Sequence, residues 1–304
     1  MTDRTPMRGV LSPVVTPFDE RLEPDVDRLI QHCRWLLSHD CGLAIFGTNS
    51  EGNSLSVEEK IDIVDRLIEA GIDPARMMPG TGCCALPDTV KLSRHMTERG
   101  VGGVLMLPPF YYKGVTDEGI YRSIAEVIDR VGDDRLRVYL YHIPPVAQVG
   151  FSLDLIERLI GDFPGIVAGI KDSSGDWENT RAMIERFPGW GVFAGNETVL
   201  LKTMQAGGMG CISATCNVNA HGIVEFYKTW QEPNAEQRQE ALTALRNRVG
   251  QYVMISALKA TIAHFSDDMG WRRVRPPLVG LDEETVTKLG RDLEAFGFTM
   301  PGLG

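Results

Sequence analysis

The chain has 304 residues, is 43% hydrophobic and 24% charged, and carries a net charge of -10. This is globular composition, with enough apolar residues for a large core. It argues against a nucleic-acid partner, which needs a basic face. No basic run or basic amphipathic stretch points to a membrane surface. No apolar run nears the roughly 20 residues of a membrane span. The N-terminus, MTDRTPMRGVLSPVVTPF, has no long apolar core and no cleavage site, so no signal peptide is expected. Six cysteines (Cys33, Cys41, Cys83, Cys84, Cys211, Cys216) are scattered without a C-x-x-C pair and read as reduced cytoplasmic thiols. No metal is expected, because no cluster of ligands has zinc-like spacing.

Short apolar runs alternate with amphipathic ones along the chain. Strands are predicted at 10–18, 42–48, 77–82, 103–109, 137–143, 166–172, 191–196 and 210–215, each stopping at Gly, Pro or small polar residues. Between them, Asp25 to Ser38 places Val26, Leu29, Ile30, Cys33 and Leu37 on one face at the helical period. Val57 to Ala70 repeats the pattern, with Ser56 and Glu59 at capping-box spacing. Further helices are predicted at 87–99, 117–131, 153–160, 177–187, 197–206 and 219–231, and then at 234–249, 251–265 and 282–296. Strict alternation implies a parallel sheet. Eight strand–helix units over this length fit a closed α/β architecture, the TIM (β/α)8 barrel, better than an open sheet. The expected organisation is one structural domain, with a barrel over 1–232 and a C-terminal helical extension over 233–304.

Chemistry in such a barrel sits at the C-terminal ends of strands. The run GIVAGIKDSSG (165–175) ends an apolar strand in Lys171. Either its stem packs on the rim while the ammonium reaches water, or it is a Schiff-base lysine. Desolvation and nearby cations favour a neutral amine, which attacks a ketone carbonyl. The resulting iminium draws electrons from a neighbouring C–C or C–O bond and leaves an enamine. Tyr141 ends the preceding strand, where a phenol can shuttle protons or simply pack on its ring. FGTNSEG (46–52) is a glycine-flanked polar loop. It reads as an anion cradle for a carboxylate, with Thr48 as a proton relay, or as a plain capped turn. GTGCCA (80–85) fits G-x-G-x-x-A, but the next strand ends without the acidic residue a dinucleotide site needs. A nucleotide is therefore not expected.

These segments together resemble the pyruvate-type class I aldolase family that includes N-acetylneuraminate lyase and dihydrodipicolinate synthase. SPVVTPF (12–18) resembles its opening strand, GTNSEG its G-T/S-T-G-E loop and PPFYY (108–112) its tyrosine loop. YHIP (141–144) resembles its Y-N-x-P strand and GIKDSSGD (169–176) its Schiff-base segment, with FAGNE and GCISATCNV on the last two strands. The resemblance implies Lys171 as Schiff-base lysine, Tyr141 as proton-transfer phenol, Thr48 as relay hydroxyl, and Tyr112 completing the relay from a neighbouring subunit. It also implies a homotetramer built from tight dimers. The amides at Thr48 and Asn49 would hold the 2-oxo acid's carboxylate, and Gly195 and Ile212 would line the pyruvyl pocket.

The departures bear on substrate. The synthase carries an arginine two residues after the Y-N-x-P proline, where this chain has Val146. A second carboxylate thus lacks a fork of donors. Ser173, Glu197 and Ser213 match positions where sugar-acid lyases touch substrate hydroxyls, and His142 and Gln148 are further donors. Asn49 and Ser50 replace Thr-Gly in the polar loop. The expectation is a Schiff-base lyase acting on a small 2-oxo acid, favouring cleavage of a 2-oxo-3-deoxy sugar acid to pyruvate and an aldehyde. A sugar-acid dehydratase, a true dihydrodipicolinate synthase and a non-catalytic small-acid sensor remain alternatives. No cofactor is required, since the imine at Lys171 is the electron sink.

Overall fold

The computed structural model describes residues 6–303. Residues 1–5 and Gly304, which belong to the N-terminal stretch and to the two expected regions 1–232 and 233–304, lie outside the described residues. The strands are β1 (Gly9–Ser12), β2 (Gly42–Leu43), β3 (Val104–Met106), β4 (Val138–His142), β5 (Val167–Asp172), β6 (Gly191–Ala194) and β7 (Gly210–Ile212). The helices are α1 (Val26–Ser38), α2 (Val57–Glu69), α3 (Leu86–Glu98), α4 (Asp117–Val131), α5 (Pro144–Ala147) and α6 (Leu153–Asp162). They continue with α7 (Trp177–Arg186), α8 (Leu200–Gln205), α9 (Cys216–Thr229), α10 (Ala235–Val249), α11 (Met254–Ser266) and α12 (Glu283–Ala295).

The helix boundaries follow local chemistry. Ser56 accepts from the Glu59 amide while the Glu59 carboxylate takes the Ser56 amide, so both halves of the expected capping box form. Thr116 caps α4, and Gly132 ends it in the left-handed conformation. Each cap is worth about 1 kcal/mol. α1 buries Val26, Leu29 and Cys33 of the expected stripe, whereas Ile30 and Leu37 are half-buried and Leu36 is buried instead. The expected helix at 219–231 is preceded by a turn from Cys216, joined to it across a kink at Asn219, whose φ of -125° and ψ of 42° are not helical.

The predicted third strand, 77–82, shrinks to a bridge between Gly80 and Leu105. Leu105 N–H donates to Pro79 O at 2.9 Å and Thr81 N–H to Leu105 O at 3.0 Å. Pro79 has no N–H to extend the ladder.

The chain divides into two compact units, one of residues up to Gly9 with Asp73–Ile212, the other of Val10–Ile72 with Ser213–Gly304. In the first, β3, β4, β5, β6 and β7 pair in chain order, all parallel. Parallel strands need crossovers, which the intervening helices supply. Tyr139 fills the interior beside β5. A Cβ at Gly169 would lie 2.7 Å from its ring, so only glycine admits that side chain. Its phenol accepts the Met7 amide at 2.6 Å, and burial pushes its pKa up to about 12.

In the second unit β1 and β2 pair in parallel, Leu11 with Gly42 and Ser12 with Leu43. Asn217, buried at the start of α9, accepts the Val15 amide at 2.9 Å and donates to Pro13 O at 3.1 Å. It therefore pins the segment after β1. His32 of α1 lies beside it, Nε2 to Oδ1 at 3.3 Å. Burial pushes the His32 imidazole down to about 4.

Candidate active site

The register of β4 and β5 sets Tyr141 directly beside Lys171. Side chains alternate across a strand, so Tyr141 shares a face with Tyr139, and Lys171 shares one with Gly169. The lysine Nζ donates to the Tyr141 hydroxyl at 3.4 Å and lies 4.4 Å from the centre of its ring. Both side chains belong to residues only 2% exposed. Lys171 does not reach bulk water from the rim. Its head group is buried, and its hydrogen-bond partner is a phenol instead of a carboxylate.

The adjoining Asp172 does not pair with it. Its carboxylate accepts from the Thr180 hydroxyl at 2.7 Å, the Asn179 amide at 3.1 Å and the Ser174 N–H at 2.9 Å. These bonds fold the loop after β5 back onto α7. His142, the other strand-end residue of β4, accepts the Phe151 N–H at Nδ1, 3.0 Å away. That nitrogen straps the segment 143–151 to the strand. Burial lowers the His142 pKa and Asp172 opposes the shift.

Gly195, just past β6, lies against Ser173, and a Cβ there would sit 2.4 Å from the serine hydroxyl. Glu197, buried, opens a short 3-10 turn. Ile212 is buried at the end of β7. Tyr112 and Tyr111, after β3, are 72% and 74% exposed, with their rings edge to face. Gln148 is exposed, in the left-handed conformation that ends α5, and Val146 is exposed beside it.

The other expected residues belong to the second unit. Gly47 to Gly52 is a tight turn in which Ser50 and Gly52 N–H donate to Gly47 O, at 3.2 and 3.1 Å, and Glu51 N–H to Thr48 O at 3.1 Å. The amides of Thr48 and Asn49 take no part in these turn bonds. The left-handed residues are Phe46 (φ 64°) and Glu51 (φ 54°). Ser50, where the resembling family has glycine, carries no such strain, so its Cβ leaves the turn intact. Gly52 must be glycine, because a Cβ there would lie 2.0 Å from Phe46 O. The Thr16 hydroxyl donates to Ser50 O at 2.6 Å. Ser213 is buried, and Arg246 of α10 donates to its hydroxyl at 3.2 Å and to Thr215 at 3.4 Å.

Sequence reasoning missed the charged cluster beneath that turn. Lys259 of α11 is fully buried and ion-paired with Glu51, and it donates to Arg273 O at 2.6 Å. Arg275 N–H donates to the other Glu51 oxygen at 2.8 Å. The Arg275 guanidinium pairs with Glu59 and donates to Ser54 O at 2.7 Å. Both cations flank the Phe18 ring, 4.5 and 4.8 Å from its centre. A signal existed: Lys259 is the lone charge in MISALKATIA, as Lys171 is in its own apolar run.

The chain matches the dihydrodipicolinate synthetase family over residues 6–296. It belongs to that family. A DapA-like lyase of Chloroflexus aurantiacus is 32% identical over 287 residues, 93% of this chain and 94% of that protein. A dihydrodipicolinate synthase structure from Agrobacterium tumefaciens is 29% identical, covers 95% of this chain and 99% of its own, and superposes with a TM-score of 0.87. The 2-keto-3-deoxygluconate aldolase of Sulfolobus solfataricus, 20% identical over 95% of this chain and 96% of its own, shares the fold with a TM-score of 0.85. The fold class is the α/β barrel with a C-terminal helical extension that the sequence implied. At the coarse level, this family member is a lyase of the pyruvate-dependent aldolase kind.

Proposed function

We propose that this chain is a Schiff-base lyase that reversibly cleaves a 2-oxo-3-deoxy sugar acid into pyruvate and an aldehyde. The observation that carries the reading is the buried Lys171 Nζ, 3.4 Å from the Tyr141 hydroxyl. A lysine desolvated in this way and not neutralised by a carboxylate is suited to attack a ketone. Its amine adds to C2 of the 2-oxo acid, and the carbinolamine loses water to give an iminium. The C4 hydroxyl gives up its proton, the C3–C4 bond breaks, and its electron pair moves into the enamine as the aldehyde leaves. Protonation at C3 and hydrolysis release pyruvate and restore the amine.

Tyr141 moves the protons of carbinolamine formation and of the C4 hydroxyl. Thr48 is the relay hydroxyl. Tyr112 completes the relay in a neighbouring subunit, within a homotetramer of tight dimers, and its 72% exposure suits a residue that is covered only by a partner. The Thr48 and Asn49 amides hold the carboxylate, and Gly195 and Ile212 line the pyruvyl pocket. Ser173, Glu197 and Ser213 take the hydroxyl-bearing tail. Exposed Val146 stands where a second carboxylate would need an arginine, which favours a sugar-acid tail over the synthase substrate. The iminium is the electron sink, so neither metal nor organic cofactor enters these steps. A cytoplasmic location suits its six free thiols.

Incubation with a panel of 2-oxo-3-deoxy sugar acids tests the reaction. Pyruvate and an aldehyde are the expected products. A product retaining every carbon would make the enzyme a dehydratase instead. Borohydride with pyruvate should fix a covalent adduct on Lys171, seen by mass spectrometry, and its absence would reject the imine altogether.

A further inference from the structure

The Gly47–Gly52 turn carries two non-glycine residues in the left-handed region, Phe46 and Glu51. Each such residue costs on the order of 1–3 kcal/mol and persists only where its surroundings hold it. The holding group here is Glu51. Its backbone closes the turn through Thr48 O, and the Thr48 and Asn49 amides, which take no part in the turn's bonds, lie three and two residues before it. Its carboxylate, buried, is gripped from two sides, by the Lys259 ammonium and by the Arg275 amide. The grip is itself fixed. Lys259 is anchored on Arg273 O, and Arg275 on Ser54 O just beyond the turn. The C-terminal helical segment therefore reaches the turn through the buried Lys259–Glu51 ion pair and the Arg275 amide.

We infer that Lys259 and Glu51 are positioning residues that set the Gly47–Gly52 turn so that the Thr48 and Asn49 amides receive the carboxylate of the 2-oxo acid. This rests on the Schiff-base reading above and adds to it a route from the C-terminal segment to substrate binding. Neither side chain touches the reacting atoms. Their effect falls on recognition of the carboxylate and not on the amine chemistry.

The test measures borohydride trapping at Lys171 against concentration for two probes, pyruvate and its neutral methyl ester. The variant is E51Q/K259M. It removes both charges together, keeps an acceptor for the Arg275 amide, and so avoids leaving one buried charge unpaired. Its fold is checked by circular dichroism and thermal melting. Half-saturating pyruvate should rise about tenfold or more, the scale expected from a small misplacement of binding groups. The ester's half-saturation and both maximal trapping rates should stay within about twofold. An unchanged pyruvate-to-ester ratio in the folded variant would overturn the inference, as would equal losses for both probes. Lys259→Met alone should shift the same ratio in the same direction, and a shift confined to maximal rates would count against the inference. If the unaltered enzyme forms no adduct at all, the Schiff-base reading fails first and takes this one with it.

Discussion

Lys171 and Lys259 each stand in an apolar run, and each is buried, at 2% and 0% exposure. What surrounds them differs in kind. Lys171, on β5 of one unit, faces a phenol. Lys259, on α11 of the other, faces a carboxylate and a backbone carbonyl. A lysine beside a carboxylate spends its donors on structure, even where burial lowers its pKa. A lysine beside a phenol has a proton-transfer partner instead. Burial alone therefore does not mark a nucleophile, and the partner does.

The largest effect that can break this contrast is on turnover. Lys171→Ala should lower kcat/KM by about 10⁴-fold or more, as loss of a nucleophile does elsewhere, with the melting temperature kept or raised. Substantial residual aldol cleavage would place the nucleophile on another residue, Lys259 being the first to examine. Tyr141→Phe keeps the ring under Lys171 and removes only the hydroxyl. It should lower kcat by about 10²–10⁴-fold, the usual worth of general acid–base help. A rate within a few-fold of the unaltered enzyme would leave the phenol a packing group. For Lys259→Met the expected loss is in folding. It leaves the Glu51 carboxylate buried with the Arg275 N–H as its remaining donor, a cost of about 3–5 kcal/mol, read as a lower urea midpoint. E51Q/K259M should recover most of that loss, because a neutral pair avoids the stranded charge. Equal losses in the single and double variants would mean that the side-chain packing matters and the charge pairing does not.

The same contrast shows what was legible in the sequence. Lys171 could be found because a strand has a defined end, and a barrel's chemistry gathers at strand ends. Tyr141 followed from the next strand over, and the register confirmed their pairing. Helix limits were legible to within a few residues because caps are local, as at Ser56 and Thr116. The third strand was overread, since Pro79 within MMPGTG, which has no N–H for a ladder, was the sign against it. That His142 Nδ1 takes the Phe151 amide was not legible, because it depends on how the loop 143–151 folds back. Glu51 was quoted within a motif and given no role. Its partners lie 208 and 224 residues further along, and no local pattern reports a contact at that separation.

The smallest effect is the sharpest probe of Lys259. Desolvation pushes its ammonium from 10.5 down to about 8, while Glu51 opposes the shift and Arg275 adds to it. Below pH 8 both the native and the unfolded chain hold this proton, and the burial cost is present in full. Between pH 8 and 10.5 the unfolded chain holds more of it, so this residue makes stability climb with pH. The gain across the window is at most about 3 kcal/mol, at 1.36 kcal/mol for each pH unit. Tyrosines, cysteines and surface lysines titrate over the same range, so the measurement is a difference. Urea midpoints of the unaltered protein and of E51Q/K259M are compared at steps from pH 7.5 to about 10. Relative to the variant, the unaltered protein should gain stability as pH rises. A flat or falling difference would mean that Glu51 holds the ammonium charged throughout, and that Lys259 is stabilised by its pair more than it is penalised by its burial.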